Sequence, residues 1–262
     1  HFSERSYMKY KAVYLLAGVG SRLRPYTDDR PKSLIEVNGK AFLSRSVDTM
    51  KSRGITDFVV VTGYMDDKIK SFFATHYPDL NIEFIHNEIY NSTNNSYSLY
   101  LAKEAFKNNE AMYLLDGDIL FQPEIIDLLQ KTADSKNVLA TRKADDLADE
   151  EMKVILKNDT DIISIEKKLD PKRSYGESIG IAKFSPDFTQ KLFSTLERRM
   201  VSLGIVNEFY EASFQELLDK GETLSIVDTQ SYKCMEVDTV EDLEEAKRSI
   251  IQHIDEVNSC QS

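Results

Sequence analysis

The chain has 262 residues, enough for one large α/β domain with a substantial core, and 41% of them are hydrophobic. A net charge of −11 with no basic face argues against nucleic-acid binding, and no apolar run approaches the ~18–20 residues of a membrane span. Cys234 and Cys260 lie far apart without zinc spacing and read as free thiols; with no visible signal peptide, the expectation is a cytoplasmic protein.

The chain begins at His1, and Met8 reads as a candidate native start, with residues 1–7 an added or frayed arm. Tyr10–Leu16 (YKAVYLL) has the form of a largely buried strand. Gly18 and Gly20 follow, then Ser21 and the cations Arg22, Arg24 and Lys32, with Pro25 and Pro31 stiffening the loop between them. Glycines after a strand let backbone N–H groups approach a ligand closely. Several such donors in one turn form an anion-binding concavity, and guanidinium and ammonium groups beside it suit a charge-dense triphosphate. The absence of Gly-Lys-Ser/Thr excludes a Walker loop, and a missing third glycine excludes the dinucleotide fingerprint.

Helical spacing over Ala41–Arg53, then strand Asp57–Thr62, helix Asp66–Thr75, strand Asn81–His86, helix Ser98–Lys107 and strand Ala111–Leu115 give a βαβα alternation. That alternation predicts a doubly wound, mostly parallel sheet whose ligands bind at the carboxyl ends of the strands. The second half is richer in strands: Asn137–Arg142, Lys153–Lys157, Ile162–Glu166, Glu177–Phe184, Leu224–Val227 and Tyr232–Val237. Helices are expected at Pro123–Thr132, Pro186–Val201 and Phe209–Lys220, and Thr239 is placed to cap a last helix running to Val257. With no convincing linker, residues 8–257 read as a single domain, 8–134 forming one half and 135–257 a β-rich second half.

Carboxylates mark two strand ends. LLDGDIL puts Asp116 and Asp118 after an apolar strand, and CMEVDTV puts Asp238, with Glu236 nearby, before the last helix. Such carboxylates suit Mg2+ when substrate phosphates supply the other oxygens. NSTNNSYSLY is a polar loop entering a helix, and its asparagines offer donor and acceptor together, as a base edge requires.

The run LLAGVGSRLRPYTDDRPK resembles the signature of the nucleotidyltransferase (pyrophosphorylase) superfamily, with Leu16 standing where that family usually has alanine. That resemblance implies a Rossmann-like nucleotidyltransferase fold with an acceptor-side β-rich subregion. Leu16 and Ala17 would lie beneath the base; Gly18, Gly20 and Ser21 would form the phosphate turn; Arg22 would sit on the leaving phosphates and Lys32 on the α-phosphate. Asp118 and Asp238 would hold magnesium, with Asp116 in support. NNSYSLY, GESIGIAKF and NEFYEAS are similar to the CTP:phosphocholine cytidylyltransferases and the related 2-aminoethylphosphonate enzymes. This similarity implies CTP as donor, Asn94, Asn95 and Ser98 in the nucleotide pocket, and Phe209, Tyr210, Glu211 and Glu177 around a cationic head group. Lys153 would anchor the acceptor's phosphate or phosphonate. The chain departs from the choline-binding members in having no tryptophan, and a primary ammonium needs carboxylates more than an aromatic box. A sugar-1-phosphate acceptor with UTP, dTTP or CTP, or a non-catalytic nucleotide sensor, remain alternatives at this stage.

Overall fold

Burial on both faces explains the centre of the molecule. In the computed structural model, which describes residues 8–259, the first apolar run is strand β1 (Tyr10–Leu16). The expected arm at 1–7 and Cys260 lie outside the described residues. A short hairpin, β2 (Glu36–Val37) and β3 (Lys40–Ala41), leads into α1 (Phe42–Ser52). Then come β4 (Asp57–Thr62), α2 (Asp66–His76), β5 (Asn81–His86), α3 (Asn95–Leu101) and β6 (Ala111–Asp116). Strands β5, β4, β1 and β6 lie side by side, all parallel, with Leu16 opposite Thr62 and Leu15 opposite Asp116.

Alternate residues of β1 enter different cores. Val13 packs with the α3 side and Tyr14 with the α1 and α2 side, so the strand reads as a nearly continuous apolar run. Helix α3 begins three residues before the expected Ser98, because the Asn94 carboxamide oxygen accepts from the Asn95 amide at 2.7 Å and caps it there.

The second half continues the sheet with reversed strands. β7 (Ile119–Phe121), α4 (Glu124–Gln130), β8 (Val138–Lys143), β9 (Lys153–Leu156) and β10 (Ile162–Glu166) lead to β11 (Gly176–Phe184). β11 runs antiparallel to β6, β8 and β9 and so joins the two halves. After α5 (Pro186–Glu197) and α6 (Glu211–Asp219), β12 (Ser225–Asp228) adds parallel to β8, and β13 (Cys234–Glu236) pairs antiparallel with β7. The fold is α/β: a mixed sheet, parallel on the side of β1 and antiparallel on the side of β11, with helices on both faces. Among the described residues, no helix is long and apolar enough to cross a membrane.

The last helical stretch begins with α7 (Val240–Glu245), passes through a π-helical turn and ends in α8 (Ile251–Ser259). Leu243, Ala246, Ile251 and Ile254 join Leu23, Ile35, Leu120 and Val237 in a third core, directly beneath the glycine-rich loop. This helical stretch thereby packs against the loop that follows β1.

A charged cluster ties α6 to the turn after α5. Glu216 accepts from Arg198, Arg199 and Lys220. Burial works to raise its carboxyl, yet these bonds outweigh it and hold the group down at about 2. The stabilisation is therefore complete above the ordinary glutamate range and is lost as pH falls towards about 2. Acid unfolding of Glu216→Gln should lack that segment of the stability curve, and the two proteins should differ most at neutral pH; equal slopes between pH ~5 and ~2 would assign the cluster no stabilising role.

Candidate active site

The glycine turn is shaped from both ends. Gly20 sits at φ +64, in the left-handed region, and a Cβ there would stand 3.1 Å from the Lys32 Cβ. Thr27 Oγ1 donates to the Gly20 carbonyl at 2.8 Å, while the fully buried Leu23 pins the turn into the third core. Leu16, Ala17, Gly18 and Gly20 form one wall of a cleft of about 230 Å³ at the carboxyl end of β1. Lys32, Asp116 and Asp118 form its floor, and Asn94, Asn95 and Ser98 the opposite wall. Ser21 and Arg22 are exposed on the turn outside this lining.

Two carboxylates far apart in sequence meet on one ammonium. Lys32 Nζ donates to Asp118 Oδ2 at 2.9 Å and to Asp238 Oδ1 at 2.8 Å. The β7–β13 ladder brings them together: Glu236 pairs with Ile119, and the Val237 amide donates to the Asp118 carbonyl at 2.9 Å. Asp238 is not the helix cap. Thr239 takes that role, its hydroxyl accepting from the Asp242 amide, while the Asp242 carboxylate accepts from the Asp238 and Thr239 amides. The Asp238 carboxylate is thus free to turn to Lys32.

Burial works to strip Lys32 of its proton, but Asp118 and Asp238 outweigh it and keep the ammonium charged. For Asp238 burial is likewise outweighed, here by Lys32, and Arg22 adds to the pull that holds the carboxyl low. Asp118 moves the other way, because its burial and the Asp238 charge exceed the effect of Lys32. Asp116, at the end of β6, is raised further by burial and by Asp118 and Glu211. It accepts from the Tyr210 hydroxyl at 3.1 Å and lies against Gly180, where a Cβ would come within 2.5 Å of Asp116 Oδ2. Glu236 stands exposed, and the surrounding carboxylates of Asp118, Asp116 and Asp238 push its carboxyl upward.

Among the described residues, no group of three or more His, Cys, Asp or Glu side chains is arranged to hold a metal ion. The pair Asp118 and Asp238 nevertheless fits a hard divalent cation that takes its remaining oxygens from substrate. Both offer carboxylate oxygens, both already hold a cation, and Asp118 Oδ1 is buried without a hydrogen-bond partner among the described residues.

Asn87 was not singled out in the sequence, although it organises the opposite wall. It is buried, and its Nδ2 donates to Thr93 Oγ1 and Ser98 Oγ, both at 3.1 Å. Ser98 therefore lines the cleft with its hydroxyl already engaged. Asn95 reaches across to the second half, its Oδ1 accepting from the Tyr210 amide at 2.9 Å.

The acceptor-side residues separate. Tyr210 and Glu211 are buried next to Asp116, and Glu211 also lines the cavity that holds Phe209. Glu177 accepts from Arg142 Nε at 2.7 Å and lines a different, acidic cleft of about 270 Å³ with Glu236 and Asp238. Phe209 falls outside α6, whose first residue is Glu211, and stands 39% exposed on the wall of a third cavity. Lys153 does not reach any of these places. Its side chain points into the protein, and its ammonium donates to the carbonyls of Ala148 at 2.8 Å, Glu151 at 3.2 Å and Lys167 at 2.5 Å. A strand lysine's direction depends on which face of β9 is covered, which the local sequence did not specify.

With this geometry in place, comparison with known proteins is informative. Residues 12–202 match the family model of the MobA-like NTP transferase domain. A choline-phosphate cytidylyltransferase of Streptococcus pneumoniae is 36% identical over 108 residues, 41% of this chain and 44% of that protein, so the chain spans under half of that curated relative. A CTP:phosphoglutamine cytidylyltransferase of Campylobacter jejuni is 28% identical over 89% of this chain and 97% of its own length. The solved structure of a CTP:phosphocholine cytidylyltransferase from Streptococcus pneumoniae superposes with a TM-score of 0.75 at 22% identity, covering 91% of this chain and 98% of that one. This last likeness establishes the fold.

Because the Thr239 cap sets the exit angle of Asp238, its loss should be felt at both places. Thr239→Ala is expected to cost about 1 kcal/mol in urea unfolding. An unchanged midpoint would show that the third core alone fixes α7.

Proposed function

The chain belongs to the MobA-like NTP transferase family, and from that premise we propose that it is a Mg2+-dependent cytidylyltransferase. It would transfer CMP from CTP to a small amino-headed phosphate or phosphonate, phosphocholine or 2-aminoethylphosphonate, and release pyrophosphate. The observation that carries the reading is the meeting of Asp118 and Asp238 on Lys32 beside the glycine turn. A sensor that only binds nucleotide has no need of an ammonium and two acids focused on one point. The activities of the relatives, both cytidylyltransferases, support cytidylyl transfer in particular.

The reaction follows from charge and position. An acceptor phosphate or phosphonate oxygen attacks the α-phosphorus in line. The new P–O bond forms as the bond to the bridging oxygen breaks, and its electron pair leaves with pyrophosphate. No protein nucleophile is required, since the acceptor oxygen is already ionised, and catalysis reduces to alignment and charge stabilisation. The amides around Gly18, Gly20 and Ser21, with Arg22 at the mouth, would hold the β- and γ-phosphates. Lys32 would exchange its carboxylate partners for the α-phosphate. The backbone of Leu16 and Ala17 would underlie the base, and Asn94 and Asn95 would face its edge. Asp118 and Asp238 would hold Mg2+, which when bound supplies charge neutralisation for the phosphate oxygens; Asp116 would support them from behind. Residues 8–134 would then serve the nucleotide and 135–257 the acceptor, with Tyr210, Glu211, Phe209 and Glu177 on that side. Lys153 is left out of this set, because its donors are spent on three carbonyls.

Pyrophosphate release with Mg2+ and CTP, assayed against phosphocholine, 2-aminoethylphosphonate and glucose 1-phosphate, tests the reading. A CTP pair with an amino-headed acceptor should be fastest; UTP with a sugar phosphate outrunning every CTP pair would overturn it. Lys32→Ala should still bind CTP and lose roughly 10²–10³ in kcat, the magnitude expected for one charge-stabilising donor. Normal turnover in that variant would remove Lys32 from the α-phosphate.

A further inference from the structure

The cavity beside Phe209, about 540 Å³, shares Asn94 with the nucleotide cleft and is walled by Lys167, Phe209 and Glu211. Three of the charges around it pair with one another. Arg199 donates to both oxygens of Glu208, at 2.7 and 2.8 Å, and to Glu216 at 3.0 Å. Two other groups of the same wall, Glu211 and Lys167, stand apart from that cluster. Glu211 is only 8% exposed, and its Oε2 is buried without a hydrogen-bond partner among the described residues. Lys167 lies with its ammonium 4.2 Å from the centre of the Phe209 ring, and its contact with Glu150, which is largely exposed, is a loose 3.9 Å.

A lysine head over one aromatic face, with an unmatched carboxylate in the same wall, has the chemistry of a small cation on an alkyl chain. The chain has placed its own ammonium where a ligand's would gain most. We propose that Lys167 is an internal surrogate for the acceptor's head group, that the acceptor displaces it from Phe209, and that the displacing group is a primary ammonium.

The argument for N–H rests on Glu211. A buried carboxylate oxygen without a donor is costly, and a primary ammonium can donate to it while stacking against Phe209. A trimethylammonium group has no N–H to give and would cover the oxygen without satisfying it. A single aromatic face also encloses a bulky quaternary head poorly, whereas it suffices for an ammonium that a carboxylate shares. Self-occupancy lowers apparent affinity by the fraction of time Lys167 is in place, which makes Lys167 a specificity-determining residue. This inference rests on the transferase reading above and narrows its acceptor.

Phosphoethanolamine and phosphocholine share a phosphate and differ in N-methylation, so they form the test pair. With Mg2+ and CTP, phosphoethanolamine should show the lower KM by about tenfold or more, the range of a hydrogen bond to a charged group. Glu211→Gln should erase that preference while leaving the KM for CTP unchanged. Lys167→Met should lower the KM for phosphoethanolamine several-fold at constant kcat. Equal or better use of phosphocholine, or a raised KM in Lys167→Met, would overturn the proposal. If no acceptor releases pyrophosphate, the transferase reading fails. The pocket is then judged by calorimetric titration of the wild-type protein with both compounds in the presence of CTP, where binding of neither, or of both alike, overturns it too.

Discussion

An ammonium held between two carboxylates is the contact on which the arrangement of the cleft depends. Lys32 comes from the loop after β1, Asp118 from the turn between β6 and β7, and Asp238 from the step between β13 and α7. Leaving two neighbouring carboxylates half-buried without that ammonium would cost several kcal/mol. The charge triad therefore selects the one packing of three distant segments in which it is satisfied. The third core supplies the apolar side of the same junction, with Leu23, Ile35, Leu120 and Val237 each within three residues of Arg22, Lys32, Asp118 or Asp238.

Several of the chain's acids gather around this cation. Burial displaces Asp116, Asp118 and Glu211 upward, and repulsion from neighbouring carboxylates acts on Asp116, Asp118 and Glu236. Clusters of carboxyls pushed out of their usual range in a cleft are a mark of function more often than of stability, since stability alone would be better served by apolar residues. The surrounding scaffold keeps these groups in place by close contact: Gly180 lets β11 approach Asp116, and Tyr210 fixes one of its oxygens.

Much of this was legible from residues alone. The parallel half was written in the apolar runs of β1, β4 and β6, because strands buried on both faces leave little room for polar residues. The glycine turn, Lys32 and both strand-end aspartates could be marked from their types and positions, and their convergence followed from resemblance. What escaped was whatever depends on contacts across the sheet. The antiparallel order of β11 beside β6 has no local sequence signal. Asn87 looked like any loop asparagine until Thr93 and Ser98 closed around it. Lys153 and Lys167 are both lysines of the second half, and only tertiary packing decides that one is spent on carbonyls while the other rests on Phe209.

The return of α7 and α8 beneath the glycine turn has a consequence for how the protein comes into being. After Lys32 has left the ribosome, the chain must grow by some two hundred residues before Asp238 follows. Through that interval the nucleotide cleft lacks one of its acids and the floor that seats its loop. A nascent chain can thus build most of its sheet as it emerges, yet the cleft is complete only after the segment that carries Asp238 has followed.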